Sequence, residues 1–520
     1  MHPESGRSAW TERGAALLLL LASALLLFAN LGDYALWQDE ANAALLGKNI
    51  LAYGVPRVFD GRNLILFIHS DVDASLTWRL WGWFPLYLNA LAYAAFGVST
   101  WGARFPYALM GLGFLAWAFA RTRREKSFTL AALFIALNAF SVPLLLHFRQ
   151  CQYYAPAIVF ASLLFFLGEK DLGRPRTKAA FVATSFLLFH TQILIWMAAL
   201  VGSGVRHLLS LRRGAARARA LVATYLLALL FALPGVFVYR PWEFTSSHQT
   251  QLGFDGLAYL KKAIFDFANF VDPVYGFYAF AATAALLLVA TLAFGVRISS
   301  ATASPFAFCL AYFLFTTLAS RNGYFRYFVP LIPVFLYGVA LLVEDVFSRR
   351  RGLGWAFLAL LLLTNVLHLR HSRDGHVYSV FRQYVHELTH SNSDVNEAIV
   401  GYLKQHSRPT DVVFTNYGAF PIIYYTQLTV GGGPTGYLLP GVRQRVPVEA
   451  VSRPDWILIR QSFDTHKDTL RRLLRKDSYE RMTLPGVDTI WGNRPSPFYH
   501  HYATPSEGPP IELYRRRKDS

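Results

Sequence analysis

Charged residues are scarce in this chain and absent from long stretches of it. They make up 16% of the 520 residues, against 54% hydrophobic residues, whereas soluble domains carry about 25% charged residues. A helix needs about 20 apolar residues to cross the hydrocarbon layer of a membrane. The sequence therefore predicts a membrane protein and excludes a single soluble domain. Eight runs contain no Asp, Glu, Lys or Arg: 14–31, 128–146, 155–167, 221–238, 277–294, 306–319, 328–343 and 355–369.

Cysteine and acidic residues are also few. The two cysteines, Cys151 and Cys309, are too few to define a disulfide scaffold. Asp and Glu number 32 against 50 Lys and Arg, which gives a net charge of +18. The basic residues cluster in the short links 121–126, 170–178, 206–219 and 349–351. Such clusters are typical of cytoplasmic loops between spanning helices, so we expect no nucleic-acid partner.

The basic clusters also orient the chain. All four clusters fall on the cytoplasmic side only if segment 80–97 lies along the outer membrane surface instead of crossing the membrane. The Arg, Trp, Tyr and Asn residues of this segment suit an interfacial position. The predicted fold is a polytopic α-helical membrane protein of about eleven spans. They are 14–31, 101–120, 128–147, 155–168, 179–190, 191–209, 219–239, 275–296, 304–320, 328–346 and 353–370. We expect the outer loop 240–274 to carry an amphipathic stretch around 259–270.

The last 150 residues differ from the rest in composition. Residues 411–415, 456–460 and 511–515 read as short strands, and residues 394–406 and 465–475 read as amphipathic helices. The sequence therefore predicts a membrane domain at 1–370 and a small extracytoplasmic α/β domain at 371–520.

The clearest candidate for chemistry is the sequence Trp-Gln-Asp-Glu at 37–40, directly outside the first predicted span. Adjacent carboxylates beside anionic lipid need a reason to be there. Asp39 and Glu40 could act as a general base or bind a divalent metal ion, with Asp39 as the candidate ligand. Alternatively, they complement the dipole at the start of a helix.

Two further candidates lie at predicted outer ends of spans. Arg149 and Tyr153 belong to Arg-Gln-Cys-Gln-Tyr-Tyr at 149–154, and Arg321 and Arg326 flank Asn-Gly-Tyr-Phe. Arginine binds phosphate through two parallel hydrogen bonds, so these residues are candidate phosphate ligands. The alternative is anchoring at head-group depth, where Arg and Tyr are common.

A competing motif occurs at 386–390. His386, Glu387 and His390 fit H-E-x-x-H, the zinc-metalloprotease pattern. A third ligand is not evident, because Ser393 and Asn396 occupy the positions of the metzincin Gly and His. The pattern also fits the solvent face of an amphipathic helix.

Several segments together resemble the GT-C glycosyltransferases, nearest to protein O-mannosyltransferases and the transferases that add aminoarabinose to lipid A. They are residues 36–61, 84–90, 96–97, 103–111, 149–154 and 326–333. The resemblance implies sugar transfer from a polyprenyl-phosphate donor at the outer leaflet, with Asp39 as the essential carboxylate. Related lipid A enzymes have Lys before the Pro of the interfacial segment. This chain has Trp83-Phe84-Pro85 there, and Arg79 is the candidate substitute.

The sequence thus predicts a multi-pass glycosyltransferase of the cytoplasmic membrane with its C-terminal domain extracytoplasmic. The acceptor is an envelope lipid, glycan or protein. The predicted catalytic residues are Asp39 and Glu40, and the predicted donor-phosphate ligands are Arg79, Arg149, Tyr153, Arg321 and Arg326. No cofactor is implied beyond a divalent metal ion. The alternatives are a transporter or flippase of envelope lipids, and a zinc metalloprotease built on 386–390.

Overall fold

The structure is a computed structural model in which the chain is described over 6–66, 72–209, 215–244, 256–295, 298–320, 323–371, 376–392, 394–432, 453–461, 463–464, 467–476, 478–489, 493–496, 499–504 and 507–517. The α-helices are α1 (Gly6–Phe28), α2 (Gln38–Tyr53), α3 (Phe84–Phe96), α4 (Thr100–Glu125), α5 (Phe128–Ala139), α6 (Val142–Phe148), α7 (Tyr154–Gly168), α8 (Pro175–Phe189), α9 (Ile193–Leu209), α10 (Ala215–Tyr239), α11 (Gly256–Tyr275), α12 (Phe277–Phe294), α13 (Ser300–Ala319), α14 (Ile332–Arg349), α15 (Arg351–Leu361), α16 (Val380–Thr389), α17 (Val395–His406), α18 (Ala419–Thr426) and α19 (Lys467–Lys476). The strands are β1 (Leu369–His371), β2 (Val377–Ser379), β3 (Val412–Thr415), β4 (Thr429–Gly432), β5 (Trp456–Ile459), β6 (Tyr479–Met482) and β7 (Glu512–Arg516).

Apolar helices dominate the first 370 residues. Five stretches of the described chain are long and apolar enough to cross a membrane: Trp10–Phe28, Thr100–Glu125, Ala218–Tyr239, Ser300–Ala319 and Val329–Arg349. The shorter apolar helices are Phe84–Phe96, Tyr154–Gly168, Ile193–Leu208 and Arg351–Val366. The predicted count of eleven spans therefore remains a prediction.

The predicted span at 128–147 is bent. It consists of α5 and α6, which meet at an angle of 69°. Ser141 has extended backbone between the helices, and a proline follows within the first two positions of α6. Proline is tolerated at a helix start but not in its interior, which explains why the chain breaks here instead of continuing straight.

The predicted interfacial segment contains α3, which has 13 residues. At 1.5 Å per residue this helix is about 20 Å long, shorter than the roughly 30 Å hydrocarbon core. One side packs closely on α2: a Cβ at Gly47 would lie 2.5 Å from Cβ of Asn89, so only glycine permits the approach. The opposite side leaves Leu91 69% exposed. These features fit a helix lying on a membrane surface.

The described chain divides into two compact units. Unit 1 comprises residues 1–29, 107–388 and 496–498, and unit 2 comprises residues 30–106, 389–495 and 499–520. Unit 1 contains most of the apolar helices together with the β1–β2 hairpin, in which Arg370 pairs with Tyr378. Unit 2 combines the first predicted outer loop with the C-terminal residues. The units thus draw on both sides of the predicted boundary at residue 370.

Unit 2 contains a five-stranded sheet in the order β4-β3-β5-β7-β6. Strand β3 pairs in parallel with β4 and β5, whereas β7 pairs antiparallel with β5 and β6. Helix α19 covers one face of the sheet with Leu470, which packs with Phe414, Ile457 and Ile459. Five elements, namely β3, β5, β7, α17 and α19, lie where the sequence predicts strands and helices, within two residues at their ends.

Candidate active site

The acidic pair lies in the first turn of α2. Trp37 precedes the helix with extended backbone, and Asp39 and Glu40 follow at its amino end. The free N–H groups and the positive end of the helix dipole favour carboxylates in this position. Successive residues point about 100° apart around a helix. The two carboxylates therefore face different surroundings: Glu40 is fully buried, whereas Asp39 is half-buried.

Glu40 forms a buried ion pair with Arg104 of α4. Arg104 Nε donates to Glu40 Oε1 at 2.9 Å and Nη2 donates to Oε2 at 2.7 Å, so the contact is bidentate. The same guanidinium donates to the backbone oxygens of Leu31, Tyr34 and Ala35 at 3.1, 2.9 and 3.4 Å. The catalytic role of Glu40 stays a prediction, and the observed ion pair is a structural contact. It fixes the segment that leads into Asp39.

Asp39 shares its surroundings with residues from the C-terminal part of unit 2. Burial raises the pKa of Tyr417, the nearby Arg494 guanidinium opposes that rise, and the Asp39 charge adds to it. Arg494 Nη2 donates to the Tyr417 hydroxyl at 2.8 Å, and its guanidinium carbon lies 5.1 Å from the centre of the Trp37 ring. A half-buried carboxylate, a phenol and an arginine therefore come together at the start of α2.

Hydrogen bonds hold the two parts of this site together. Gln38 Oε1 accepts from the Phe420 N–H at 3.3 Å at the start of α18. Asn493 Nδ2 donates to the Ala35 oxygen at 2.7 Å. Both bonds join residues more than 380 positions apart in the chain.

Asp39 is the predicted ligand of a divalent metal ion, and the described residues can be compared with what such an ion needs. Within them, no group of three or more His, Cys, Asp or Glu side chains could hold a metal ion. The adjacent carboxylate of Glu40 is bound to Arg104. A metal ion at Asp39 stays a prediction.

Arg79 lies in unit 2 and is buried. Its Nη2 donates to the Val72 oxygen at 2.7 Å, which ties together the two ends of a loop. Its predicted phosphate role remains a prediction, and the observed contact is structural.

Arg149 lies in unit 1 and caps the carboxyl end of α1. Its Nη1 lies 3.3, 3.0 and 2.8 Å from the backbone oxygens of Leu26, Leu27 and Ala29. A cation satisfies the free carbonyls and the negative dipole end at this position. Tyr153 is buried, and its ring packs 4.7 Å from that of Tyr154.

Arg326 lies in a short 3-10 helix, Phe325–Tyr327, and is half-buried. Its guanidinium carbon lies 4.6 Å from the Tyr324 ring and 5.6 Å from the Tyr327 ring. The buried His147 ring lies 5.0 Å from Tyr154 and 5.7 Å from Phe325. Unit 1 thus brings the predicted segments 149–154 and 321–327 together, although Arg321 itself lies outside the described residues.

The H-E-x-x-H residues lie on and just after α16. Tyr384 and Leu388 form the buried side of the helix, and His386 and His390 are exposed. Glu387 is also buried, one turn after Tyr384 on the same side of the helix. In the described part of the chain, these residues belong to no group of three or more His, Cys, Asp or Glu side chains that could hold a metal ion. The amphipathic-helix interpretation agrees with this arrangement.

The sequence interpretation did not identify Arg104, Tyr417 or Arg494. Arg104 lies within the segment 103–111 that carries the family resemblance, which was the one available signal. Tyr417 and Arg494 lie far along the chain from Asp39, and no local pattern marks them.

Neither a protein-family model nor a curated protein sequence matches the chain. Solved structures do match. ArnT from Cupriavidus metallidurans in the apo state aligns over 98% of both chains with a TM-score of 0.59 and 15% identity. The fold is that of the GT-C glycosyltransferases. ArnT bound to undecaprenyl phosphate aligns over 96% of this chain and 97% of its own, with a TM-score of 0.58 and 14% identity. The apo oligosaccharyltransferase of Archaeoglobus fulgidus aligns over 92% of this chain and 70% of its own, with a TM-score of 0.53 and 11% identity. With its apolar helices, the chain is a multi-pass membrane protein.

Proposed function

We propose that this protein is a membrane glycosyltransferase that moves a sugar from a polyprenyl-phosphate donor to an extracytoplasmic envelope lipid, glycan or protein. The observation that carries the proposal is the half-buried carboxylate of Asp39 at the amino end of α2, within a GT-C fold. The structure of ArnT with undecaprenyl phosphate supports a lipid-phosphate donor.

The proposed reaction is a direct displacement at the anomeric carbon. Asp39 accepts the proton of the acceptor hydroxyl as that oxygen forms its bond to the sugar. The bond from the sugar to the phosphate oxygen breaks, and the electron pair leaves with the polyprenyl phosphate. Because negative charge develops on this phosphate, cations held near it lower the barrier.

The chain segments that make up unit 2 support an extracytoplasmic reaction. Residues 30–106 and 389–495 belong to one compact unit, which supports the proposal that Asp39 and the C-terminal residues share one side of the membrane. By the positive-inside rule, the basic clusters at 121–126 and 349–351 favour a cytoplasmic location for the loops that carry them. A donor already carried across on a lipid would reach such a site, whereas a cytoplasmic nucleotide sugar would not.

The test compares a deletion strain complemented with wild type, Asp39→Asn or Glu480→Gln. Glu480 is an exposed carboxylate in the same unit and serves as the control. Mass spectrometry of envelope lipids and glycans should find a sugar-modified product with wild type and the control. Asp39→Asn should reduce its formation about 100-fold or more at equal protein level, because general-base catalysis contributes roughly 10²–10⁴-fold. An unchanged envelope in the deletion strain would refute the transferase, and full activity of Asp39→Asn would refute the catalytic assignment.

Sidedness has its own test. Single cysteines at 124 and 408 occupy exposed positions, and the native Cys151 and Cys309 are buried. A membrane-impermeant thiol reagent added outside should label position 408 and spare position 124. The reverse labelling pattern would place Asp39 on the cytosolic side and refute the proposal.

A further inference from the structure

Arg494 is held in place from several directions. The Tyr417 hydroxyl accepts from its Nη2 at 2.8 Å, and the Trp37 ring lies under its guanidinium at 5.1 Å. The backbone oxygen of Arg494 lies 2.9 Å from His500 Nδ1. The preceding Asn493 is tied to the Ala35 oxygen. An arginine whose orientation is set in this way loses little conformational entropy when it binds an anion.

Arg494 also lies close to the predicted catalytic carboxylate. Its stacking partner Trp37 is two residues before Asp39, and the charges of Asp39 and Arg494 both act on Tyr417. In the proposed displacement, the leaving phosphate lies across the anomeric carbon from the attacking hydroxyl. A cation near the general base but separate from it suits that phosphate.

The other buried arginines of unit 2 hold the structure together. Arg104 binds Glu40 and three backbone oxygens, and Arg79 donates to the Val72 oxygen. Arg460 is bound to Asp488 through Nε at 2.6 Å. Arg494 is half-buried, and the contacts that orient it include a neutral hydroxyl and an aromatic ring.

From this placement we infer that Arg494 binds the phosphate of the polyprenyl donor, so that the C-terminal part of the chain completes the active site around Asp39. The inference rests on the proposed function. Guanidinium and phosphate match in geometry, and charge-assisted hydrogen bonds between them are short and strong. Tyr417 acts as a positioning residue, because its hydroxyl orients the guanidinium.

The experiment measures thermal stabilisation of the purified full-length protein in detergent by three probes: undecaprenyl phosphate, the neutral alcohol undecaprenol, and inorganic phosphate. A ligand that binds only the folded state raises the melting temperature according to its concentration and Kd. Wild type should be stabilised by undecaprenyl phosphate more than by undecaprenol. Stabilisation by inorganic phosphate alone, with no preference for the lipid phosphate, would assign Arg494 to a free anion and overturn the inference.

The variants are Arg494→Gln, Arg494→Lys and Tyr417→Phe, with Arg481→Gln as the matched control on exposed β6. Arg494→Gln should raise the Kd for undecaprenyl phosphate about 10- to 100-fold and leave the Kd for undecaprenol unchanged, since charged hydrogen bonds carry that much affinity. Arg494→Lys and Tyr417→Phe should lie between this value and wild type. Arg481→Gln should behave as wild type.

The two possible failures are distinguishable. If Arg494→Gln binds undecaprenyl phosphate as tightly as wild type, the role of Arg494 is wrong and the proposed function is untouched. If wild type itself shows no preference for undecaprenyl phosphate over undecaprenol, the lipid-phosphate donor is wrong. Should Arg494→Gln fail to fold, Arg494→Lys and Tyr417→Phe decide the question, because wild-type Kd values for both would overturn the inference.

Discussion

The substitution Glu40→Gln tests whether the buried ion pair holds the segment around Asp39. Glutamine keeps the size of the side chain but leaves the buried Arg104 without its counter-charge. Loss of one partner of a buried ion pair costs about 3–5 kcal/mol. The three backbone oxygens that also bind Arg104 remain, so we expect a loss near the lower end of this range.

This loss is large enough to measure. Each kcal/mol shifts the melting temperature of a domain of about 150–250 residues by about 2–4 °C. A loss of about 3 kcal/mol therefore lowers the melting temperature of unit 2 by about 6–12 °C. The assay is tryptophan fluorescence on heating, together with limited proteolysis, because Trp78 and Trp456 are fully buried in unit 2.

Two comparisons make the result specific. Glu480→Gln removes an exposed carboxylate from the same unit and should change stability by less than about 0.5 kcal/mol. The double variant Glu40→Gln with Arg104→Met removes both charges and should be more stable than the sum of the single losses predicts. If Glu40→Gln melts at the wild-type temperature, or if the two losses simply add, the pair does not anchor this segment.

Two further predictions concern capping and pH. Arg149→Gln should destabilise unit 1 by about 1.5–3 kcal/mol without any ligand present, since charged hydrogen bonds to the carboxyl end of α1 are lost; an unchanged melting temperature would contradict the capping role. Burial raises the pKa of Asp394 to about 6, although the α17 N–H groups, Arg460 and Arg104 oppose this rise. Burial, together with the charges of Asp394 and Asp33, raises the pKa of Glu397 to about 7. Unfolded carboxyls titrate near pH 4, so the folded state binds more protons between about pH 4 and 7, and the free energy of unfolding should fall as the pH rises through that window. The variant Asp394→Asn with Glu397→Gln should flatten this fall in melting curves at pH 5 and 8, and a slope equal to wild type would refute the assignment.

Local sequence patterns predicted the elements whose formation depends on local properties. The apolar runs predicted the helices of unit 1, and four-residue apolar runs predicted β3 and β5. Asp394 caps α17 with Glu397 three residues later, and both hydrogen bonds of the capping box are present. The sequence did not predict β4, because Thr429–Gly432 contains two glycines and gains its order from pairing with β3.

Long-range contacts could not be predicted in this way. Glu40 and Arg104 lie 64 positions apart, and Tyr417 and Arg494 lie 77 positions apart. Each of these residues occurs in an ordinary local sequence, and only the folded chain brings them to the start of α2. The sequence predicts both Asp39 and Glu40 as catalytic residues. The helix points their side chains in different directions, and the catalytic role of each stays a prediction.

Two of the predicted phosphate ligands contact backbone oxygens in the structure. Arg149 is predicted because arginine at an outer membrane surface suggests an anion, and Arg79 because related lipid A enzymes have a Lys in the interfacial segment, yet helix ends and loops also expose carbonyl oxygens that need donors. In the structure these carbonyls bind both guanidinium groups. A lipid phosphate would have to compete with bonds that the fold already uses. The contacts of Arg494 include a ring and a hydroxyl, which a phosphate need not displace. Both contacts can therefore orient the guanidinium while it binds the phosphate that we propose for it.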